Sequence, residues 1–360
     1  MPYSVQRGHE RGKPTGGRDY LVAHTTQYAV ETRPNASAGL TNRKEQELKL
    51  GLRIPQRDKV NLRLDVTEVA QTAENNGFES LWVYERSLYP LTPEEPYPYS
   101  DPPGGDWPSY YRQTADPLSV LAAAAMVTSH VRLGTSVLIA AQHIPFQLAK
   151  TIATIDQISE GRFVAGFGAG WSKDEIRAAG ADPKFRGRYL DETLDVLAAA
   201  WGPDPVSYQG RRTIVNNAIV APKPASRVPV LIGGGGTPRT IERIASRADG
   251  WLSIPFGSKG FQEIESTWNK IRERAVELGR SAEHLEHIVC ANITLTSELA
   301  GAERTPFVGT LDQIVEDVVA ASKVGVDELI IDLNLQDPWF TESRKMLDTA
   351  LEIFHRVNKR

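Results

Sequence analysis

From Leu48 onward, short apolar runs alternate with amphipathic stretches at roughly 30-residue spacing, and this alternation limits the possible folds more than any other feature of the chain. The strand-like runs are Leu48 to Ile54, Ser80 to Tyr84, the opening of the Val131 to Ile155 stretch, Arg162 to Gly170, Val228 to Gly233, Gly250 to Ile254, Ile288 to Leu295 and Asp327 to Leu333. Helical periodicity follows at Leu62 to Asn75, Pro117 to Thr128, from Pro145, and at Tyr189 to Trp201, Pro238 to Ala248, Phe261 to Leu278, Thr310 to Lys323 and Ser343 to Val357. The strands read as apolar on both faces, as in a parallel sheet covered by helices. Strand followed by helix, eight times over, predicts an α/β fold of the (β/α)8 TIM-barrel type. A doubly wound sheet is the competing arrangement, because alternation alone does not specify closure.

Residues 47 to 360 are read as this one barrel domain. Residues 1 to 46 are rich in Gly, Pro, Arg, Asn and Thr without periodicity, and read as a disordered extension or as sequence upstream of a mis-assigned start. A net charge of −4 gives no electrostatic footprint for nucleic acid or an anionic membrane, and no run approaches the ~20 apolar residues of a membrane span. The expected partner is a small molecule and the expected compartment the cytoplasm. The single cysteine, Cys290, excludes an internal disulfide and reads as a buried, inert thiol. His284 and His287 are spaced i, i+3 with no third ligand nearby, so no metal site is expected.

Three stretches carry candidate chemistry. Gly134-Thr135-Ser136 interrupts the third strand with small residues that suit a close approach by a ligand, and Gly166, Gly168 and Gly170 share one face of the fourth, leaving room for a ring system. Gly233-Gly234-Gly235-Gly236-Thr237-Pro238 follows an apolar strand and opens a helix, so its N–H groups and the helix dipole suit a phosphate. The Ser87 to Asp116 connection is far longer than the usual ~2–6 residues. It carries Tyr89, Tyr97, Tyr99, Trp107, Tyr110 and Tyr111 and reads as a lid, because strand-to-helix loops lie on the catalytic face of a barrel. Pro203 to Pro224 reads as a small surface hairpin without chemistry.

Leu-Gly-Thr-Ser-Val at 133–137, the Pro145 helix, and Asp156 to Phe163 followed by Gly166-Phe167-Gly168-Ala169-Gly170-Trp171 resemble the bacterial luciferase-like family of flavin monooxygenases and coenzyme F420 oxidoreductases. The resemblance runs from about Leu48 to Asn358 and is most specific over 131 to 171. It implies a non-prolyl cis peptide between Ser136 and Val137 behind the cofactor ring, contacts from Gly168, Gly170 and Trp171, and a phosphate on Gly233, Gly234, Gly235, Gly236 and Thr237. Where many relatives have an acidic residue followed by histidine, this chain has Glu85-Arg86. A guanidinium stays protonated and cannot accept a substrate proton, so Arg86 is expected to bind an anionic group or donate to a carbonyl. An ion pair of Arg86 with Glu85 or Asp174 is the structural alternative.

His143 is the remaining candidate acid or base, with a capping or solvent role as its alternative. Glu85, Tyr89, Trp107, Tyr110 and Asp174 are assigned to the substrate side and lid, and Arg188 to an anion. The resemblance implies a coenzyme F420-dependent oxidoreductase that transfers hydride at the deazaflavin C5. One alternative is an FMN-dependent two-component monooxygenase supplied by a separate reductase. A non-catalytic cofactor-binding protein is another. Relatives are commonly homodimers.

Overall fold

The computed structural model describes residues 47–57, 60–99, 104–333 and 343–359. The extension expected at 1–46 lies outside the described residues. Strands β1 (Lys49–Arg53), β2 (Ser80–Val83), β3 (Arg132–Thr135, continued by Leu138–Ile139), β4 (Phe163–Gly168), β5 (Val230–Gly233), β6 (Gly250–Ser253), β7 (Glu286–Asn292) and β8 (Glu328–Asp332) pair in parallel in the order 3-2-1-8-7-6-5-4. β4 also pairs with β3, so the sheet is a closed eight-stranded barrel. Closure decides between the two arrangements that alternation left open.

The helices are α1 (Leu62–Asn75), α2 (Pro117–Val127), α3 (Pro145–Ile158), α4 (Lys173–Ala178), α5 (Arg186–Trp201), α6 (Pro238–Arg247), α7 (Gly260–Glu277), α8 (Leu311–Ser322) and α9 (Ser343–Val357). Their starts are written locally. Asn61, Asp116 and Thr237 accept from the backbone three residues on, and α2, α3 and α6 carry proline in the first turn. The periodicity misses α4 and starts α5 three residues late, because Lys173–Ala178 is too short to register a period. The hairpin Val206–Gln209 with Ile214–Ala218 is antiparallel, as its sequence reads.

Side-chain alternation sorts the strands into two cores. Leu50, Leu52, Leu81, Val83, Leu329 and Ile331 face the helices. Trp82, Val164, Leu231, Leu252, Ile288 and Ile330 fill the barrel interior. One pleat below this apolar layer, buried Glu328 accepts from Trp82 Nε1 (2.9 Å) and Ser80 Oγ and pairs with Arg132 (3.4 Å). The interior is tight enough to need glycine: a Cβ on Gly134 would stand 2.3 Å from the Trp82 ring, and one on Gly166 only 1.9 Å from the Thr135 carbonyl oxygen. Gly134 therefore admits an indole of the protein itself rather than a ligand.

Gly166→Ala is expected to lose about 2–3 kcal/mol of stability in urea unfolding, since the clash is with backbone. Gly301→Ala, whose Cβ would meet nothing within 4 Å, is expected to stay within ~0.5 kcal/mol.

Candidate active site

The C-terminal ends of the strands surround a cavity of about 1320 Å³. Its floor is one pleat above the apolar layer, where the inward positions become polar: Arg53, Ser136, Cys290, Asn292 and Asp332. Arg53 is 3% exposed. Its Nε pairs with Asp332 at 2.6 Å, Nη1 donates to the Ser136 carbonyl (3.2 Å), and Nη2 reaches Ser136 Oγ (3.3 Å) and Cys290 Sγ (3.0 Å). Burial alone would lower the Arg53 pKa, but Asp332 and Cys290 hold it above its ordinary value. Burial pushes the Cys290 thiol up to about 11, so it is a neutral floor group.

β3 reaches the cavity with one residue too many. Gly134 is opposite Val164, yet Leu138 is opposite Phe167, so four steps on β3 match three on β4, a β-bulge. The Ser136–Val137 peptide in this bulge is cis, as the resemblance implies. Val137 is seated between Gly168 and Gly233, where a Cβ would come within 2.7 and 2.8 Å of its methyl groups. Gly170, at φ +83°, makes the same room for Ile139. Gly168 and Gly170 do line the cavity, but the space they leave is taken by the bulge's own side chains, unlike the open glycine face expected from sequence.

At the rim, Glu85 fixes the strand beyond the bulge. Its carboxylate accepts from the Ile139 N–H (2.5 Å) and bonds His143 Nε2 (2.7 Å). Burial works against a charged His143, but the Glu85 hydrogen bond and charge, with Asp116, raise its pKa overall. His143 is not among the residues that line the cavity, and its Nε2 is taken up by Glu85.

Arg86 pairs with neither expected acid. Its Nη1 is 3.0 Å from Glu175 of α4, and its guanidinium lies 4.9, 5.2 and 5.6 Å from the ring centres of Trp171, Tyr111 and Trp107. Glu175, 1% exposed, has its pKa raised by burial, an effect that Arg86 partly offsets. Asp174 instead accepts the Glu94 N–H (3.0 Å), tying the lid to α4.

Within the lid, Tyr97, Tyr99 and Tyr111 face the cavity, together with Trp171. Tyr89, Trp107 and Tyr110 form the backing layer: Tyr89 Oη donates to the Trp107 carbonyl (3.0 Å), Trp107 Nε1 to the Glu95 carbonyl (3.0 Å), and Tyr110 packs edge-on against Tyr111 at 4.7 Å.

The opposite wall is the glycine loop. Among the described residues, the N–H groups of Gly235 and Gly236 have no acceptor, and a Cβ on Gly235 would meet nothing within 4 Å. Thr237 caps α6 by accepting from the Thr240 N–H (3.2 Å), while its own N–H is turned back to the Gly235 carbonyl (2.8 Å). Trp251 Nε1 holds the Gly234 carbonyl at 2.8 Å. That indole is stacked on His287, which Trp268 covers from the other side and Ser253 Oγ bonds at 2.9 Å. His287 is thus a core residue, and exposed His284 does not share its environment.

Beside the loop, Lys184, Arg186, Arg188 and Arg239 line the cavity, and among the described residues none has a carboxylate partner. Arg188 lies over Phe185 at 5.1 Å. The nearby Arg243 is paired with Asp191 at 2.7 Å.

Sequence reasoning missed Arg53, Asp332, Asn292 and Glu175. A signal for the first two was present: each is a charged residue ending an apolar barrel strand, the position from which catalytic faces are built.

Arg86→Met is expected to cost about 3–5 kcal/mol in chemical denaturation, because Glu175 is left buried and unpaired, and adding Glu175→Gln should recover most of the loss. The Glu85–His143 pair should stabilise fully below the ordinary histidine pKa of ~6.5, and its contribution should vanish as pH rises through the raised folded value. The melting-temperature advantage of the wild type over His143→Gln should therefore shrink from acid to alkaline pH. A pH-independent difference would contradict this.

The pattern of luciferase-like monooxygenases matches residues 61–305. An uncharacterized protein of Mycobacterium tuberculosis H37Rv is 36% identical over 190 residues, 52% of this chain and 66% of that protein. The F420-dependent glucose-6-phosphate dehydrogenase of Amycolatopsis mediterranei is 31% identical over 193 residues, 52% of each chain, so the match spans about half of that relative. Among solved structures, monooxygenase RslO1 from Streptomyces bottropensis superimposes with a TM-score of 0.67 at 21% identity, over 86% of this chain and 99% of that one. An F420-dependent secondary alcohol dehydrogenase, solved with an F420-acetone adduct, gives 0.65 at 18% identity, over 86% and 99%. These two likenesses speak for the fold. Among the described residues no helix is long and apolar enough to cross a membrane. With its family pattern covering more than half its length, the chain belongs to the luciferase-like monooxygenase family.

Proposed function

We propose that the chain is a coenzyme F420-dependent oxidoreductase acting on a small organic substrate. The observation that carries this reading is the row of uncompensated cations beside the glycine loop, Lys184, Arg186, Arg188 and Arg239. F420 carries an anionic oligoglutamate tail beyond its phosphate, and FMN ends at the phosphate. A cationic surface extending past the phosphate loop suits the longer, more charged molecule.

The residues present fit such a cofactor. The cavity exceeds the ~300–1,000 Å³ of ordinary small-molecule pockets, as a ring system with a long tail requires. The free N–H groups of Gly235 and Gly236, at the positive end of α6, would hold the phosphate, and the bulge at Ser136–Val137 would back the ring. When bound, the deazaflavin supplies a hydride donor or acceptor at C5. The chain's part is to bind, orient and shield. The Arg53–Asp332 pair ties Ser136 across the mouth, and Glu85 fixes Ile139 on the far side of the bulge. The aromatic lid keeps water from the reacting atoms. On the lid side of the cavity the hydroxyls are those of Tyr97, Tyr99 and Tyr111. Burial raises the pKa of Tyr97 and Tyr111, so both stay protonated, their hydroxyls bonded to each other at 3.2 Å.

Fluorescence-quenching titrations with F420 and with oxidised and reduced FMN test the reading. F420 is expected to bind more tightly, with an affinity that falls steeply with salt. The Lys184→Ser/Arg188→Ser variant should lose about tenfold in F420 affinity and change little toward FMN. A preference for reduced FMN would redirect the reading to oxygen chemistry served by a separate reductase, and binding of neither would overturn it.

A further inference from the structure

Asn292 ends β7 and lines the cavity, on the same strand face as Cys290 and the interior residue Ile288. It is half-buried, so the cavity reaches its side chain. Its Oδ1 is engaged by Cys290 Sγ at 3.4 Å, and among the described residues its Nδ2 has no acceptor.

The direction of that amide is set from Arg53. A guanidinium only donates. Arg53 Nη2 reaches Ser136 Oγ at 3.3 Å and Cys290 Sγ at 3.0 Å, so each of these atoms offers it a lone pair and turns its own proton elsewhere. The Cys290 thiol keeps its proton, its pKa pushed up to about 11 by burial. Asn292 Oδ1 at 3.4 Å is nearer to it than Asp332 Oδ2 at 3.8 Å, and that second oxygen is already held by Arg53 Nε at 2.6 Å. The thiol proton therefore goes to Asn292 Oδ1, which leaves Nδ2 turned to the cavity as a donor.

Charge narrows what such a donor can hold. The glycine-loop side of the cavity has cations without carboxylate partners, but on the floor and the lid side each charge has one: Arg53 has Asp332, Arg86 has Glu175, and Glu85 has His143. An anionic group finds no uncompensated cation there, and an ammonium finds a donor where it needs an acceptor. An uncharged acceptor oxygen fits.

Position then separates Asn292 from the bulge. In the closed order 3-2-1-8-7-6-5-4, β7 lies four strands from β3 in either direction, directly across the barrel. A flat ring backed by Ser136–Val137 has one face on the bulge and turns the other toward β7. The Ser136 hydroxyl goes with the ring, and the Asn292 amide with whatever the ring faces.

We propose that Asn292 is a substrate-binding residue whose Nδ2 donates to an uncharged acceptor oxygen, that of a ketone, enone or lactone, on the side of the ring away from the bulge. This rests on the cofactor reading above, which sets the ring against the bulge. Cys290 and Arg53 are positioning residues behind it, since they act on the substrate only by fixing which end of the amide faces the cavity.

The test is ligand-observed NMR titration of the full chain, with and without saturating F420, using rings that differ in one group: cyclohexanone, cyclohexylammonium and cyclohexanecarboxylate. Cyclohexanone is expected to bind the wild type most tightly in both conditions. Asn292→Leu should weaken it about three- to tenfold. Asn292→Asp keeps the shape and replaces the donor by an acceptor, so it should weaken cyclohexanone and raise cyclohexylammonium above it, an inversion that a structural role would not produce. Melting temperature and F420 affinity should be preserved in both variants. The proposal is overturned if neither variant changes cyclohexanone affinity, if cyclohexanone competes with F420, or if the wild type binds none of the probes or prefers a charged one. It is also overturned if F420 affinity falls in step with cyclohexanone at unchanged melting temperature, which would give the amide to the ring. Failure of F420 to bind overturns the cofactor reading alone, because the probe ranking and its inversion in Asn292→Asp are read on the unloaded chain as well.

Discussion

The seating of Val137 between Gly168 and Gly233 is the contact on which the rest of the mouth depends. A parallel barrel forces neighbouring strands into a common register, and an extra residue on β3 has to go somewhere. Here it is taken inward, and glycines on the two facing strands supply the room. Arg53 then grips the bulge from β1, and Glu85 grips the strand beyond it from β2. What would otherwise be a local irregularity becomes backbone held from both sides at the rim, as a surface that positions a flat molecule would need.

The two halves of the cavity are made by different physics. Among the described residues, the cations of the glycine-loop half, Lys184, Arg186, Arg188 and Arg239, lack carboxylate partners; they are exposed, where water lowers the cost of keeping like charges together. The lid half is buried, where an unmatched charge is expensive, and its charges are accordingly paired and covered by rings. Among the described residues, one cavity thus carries unpaired cations at one end and paired, ring-covered charges at the other.

Much of this was legible in the sequence, and the limits have a common cause. The barrel follows from the repeated strand and helix signals, and the glycine loop at the start of α6 from four glycines before a helix start, because both are local patterns. The lid's existence was legible from its length and aromatic content. Its layering was not: Tyr89, Trp107 and Tyr110 pack behind while Tyr97, Tyr99 and Tyr111 face inward, a choice made by contacts with Trp171 and Phe256 far along the chain. Gly168 and Gly170 were legible as positions where something comes close. That the close neighbour is the protein's own Val137 and Ile139 depends on register between strands, which one strand's sequence does not contain. Arg53 and Asp332 were legible in principle, since each shares the inward face of its strand with the barrel interior, as Asp332 does with Ile330 two residues before it.

A run of four glycines suggests a loose tether, but the bond from Trp251 to the Gly234 carbonyl changes what that run is. In a trans peptide the carbonyl and the following N–H point in opposite directions. Drawing the Gly234 oxygen toward the indole therefore turns the Gly235 N–H away from it. The indole is itself immobilised, clamped against His287 with Trp268 beyond. The loop's orientation is thus inherited from the packing between β6, β7 and α7. An anion arriving there meets a donor already aimed, and little of its binding energy is diverted to ordering the backbone.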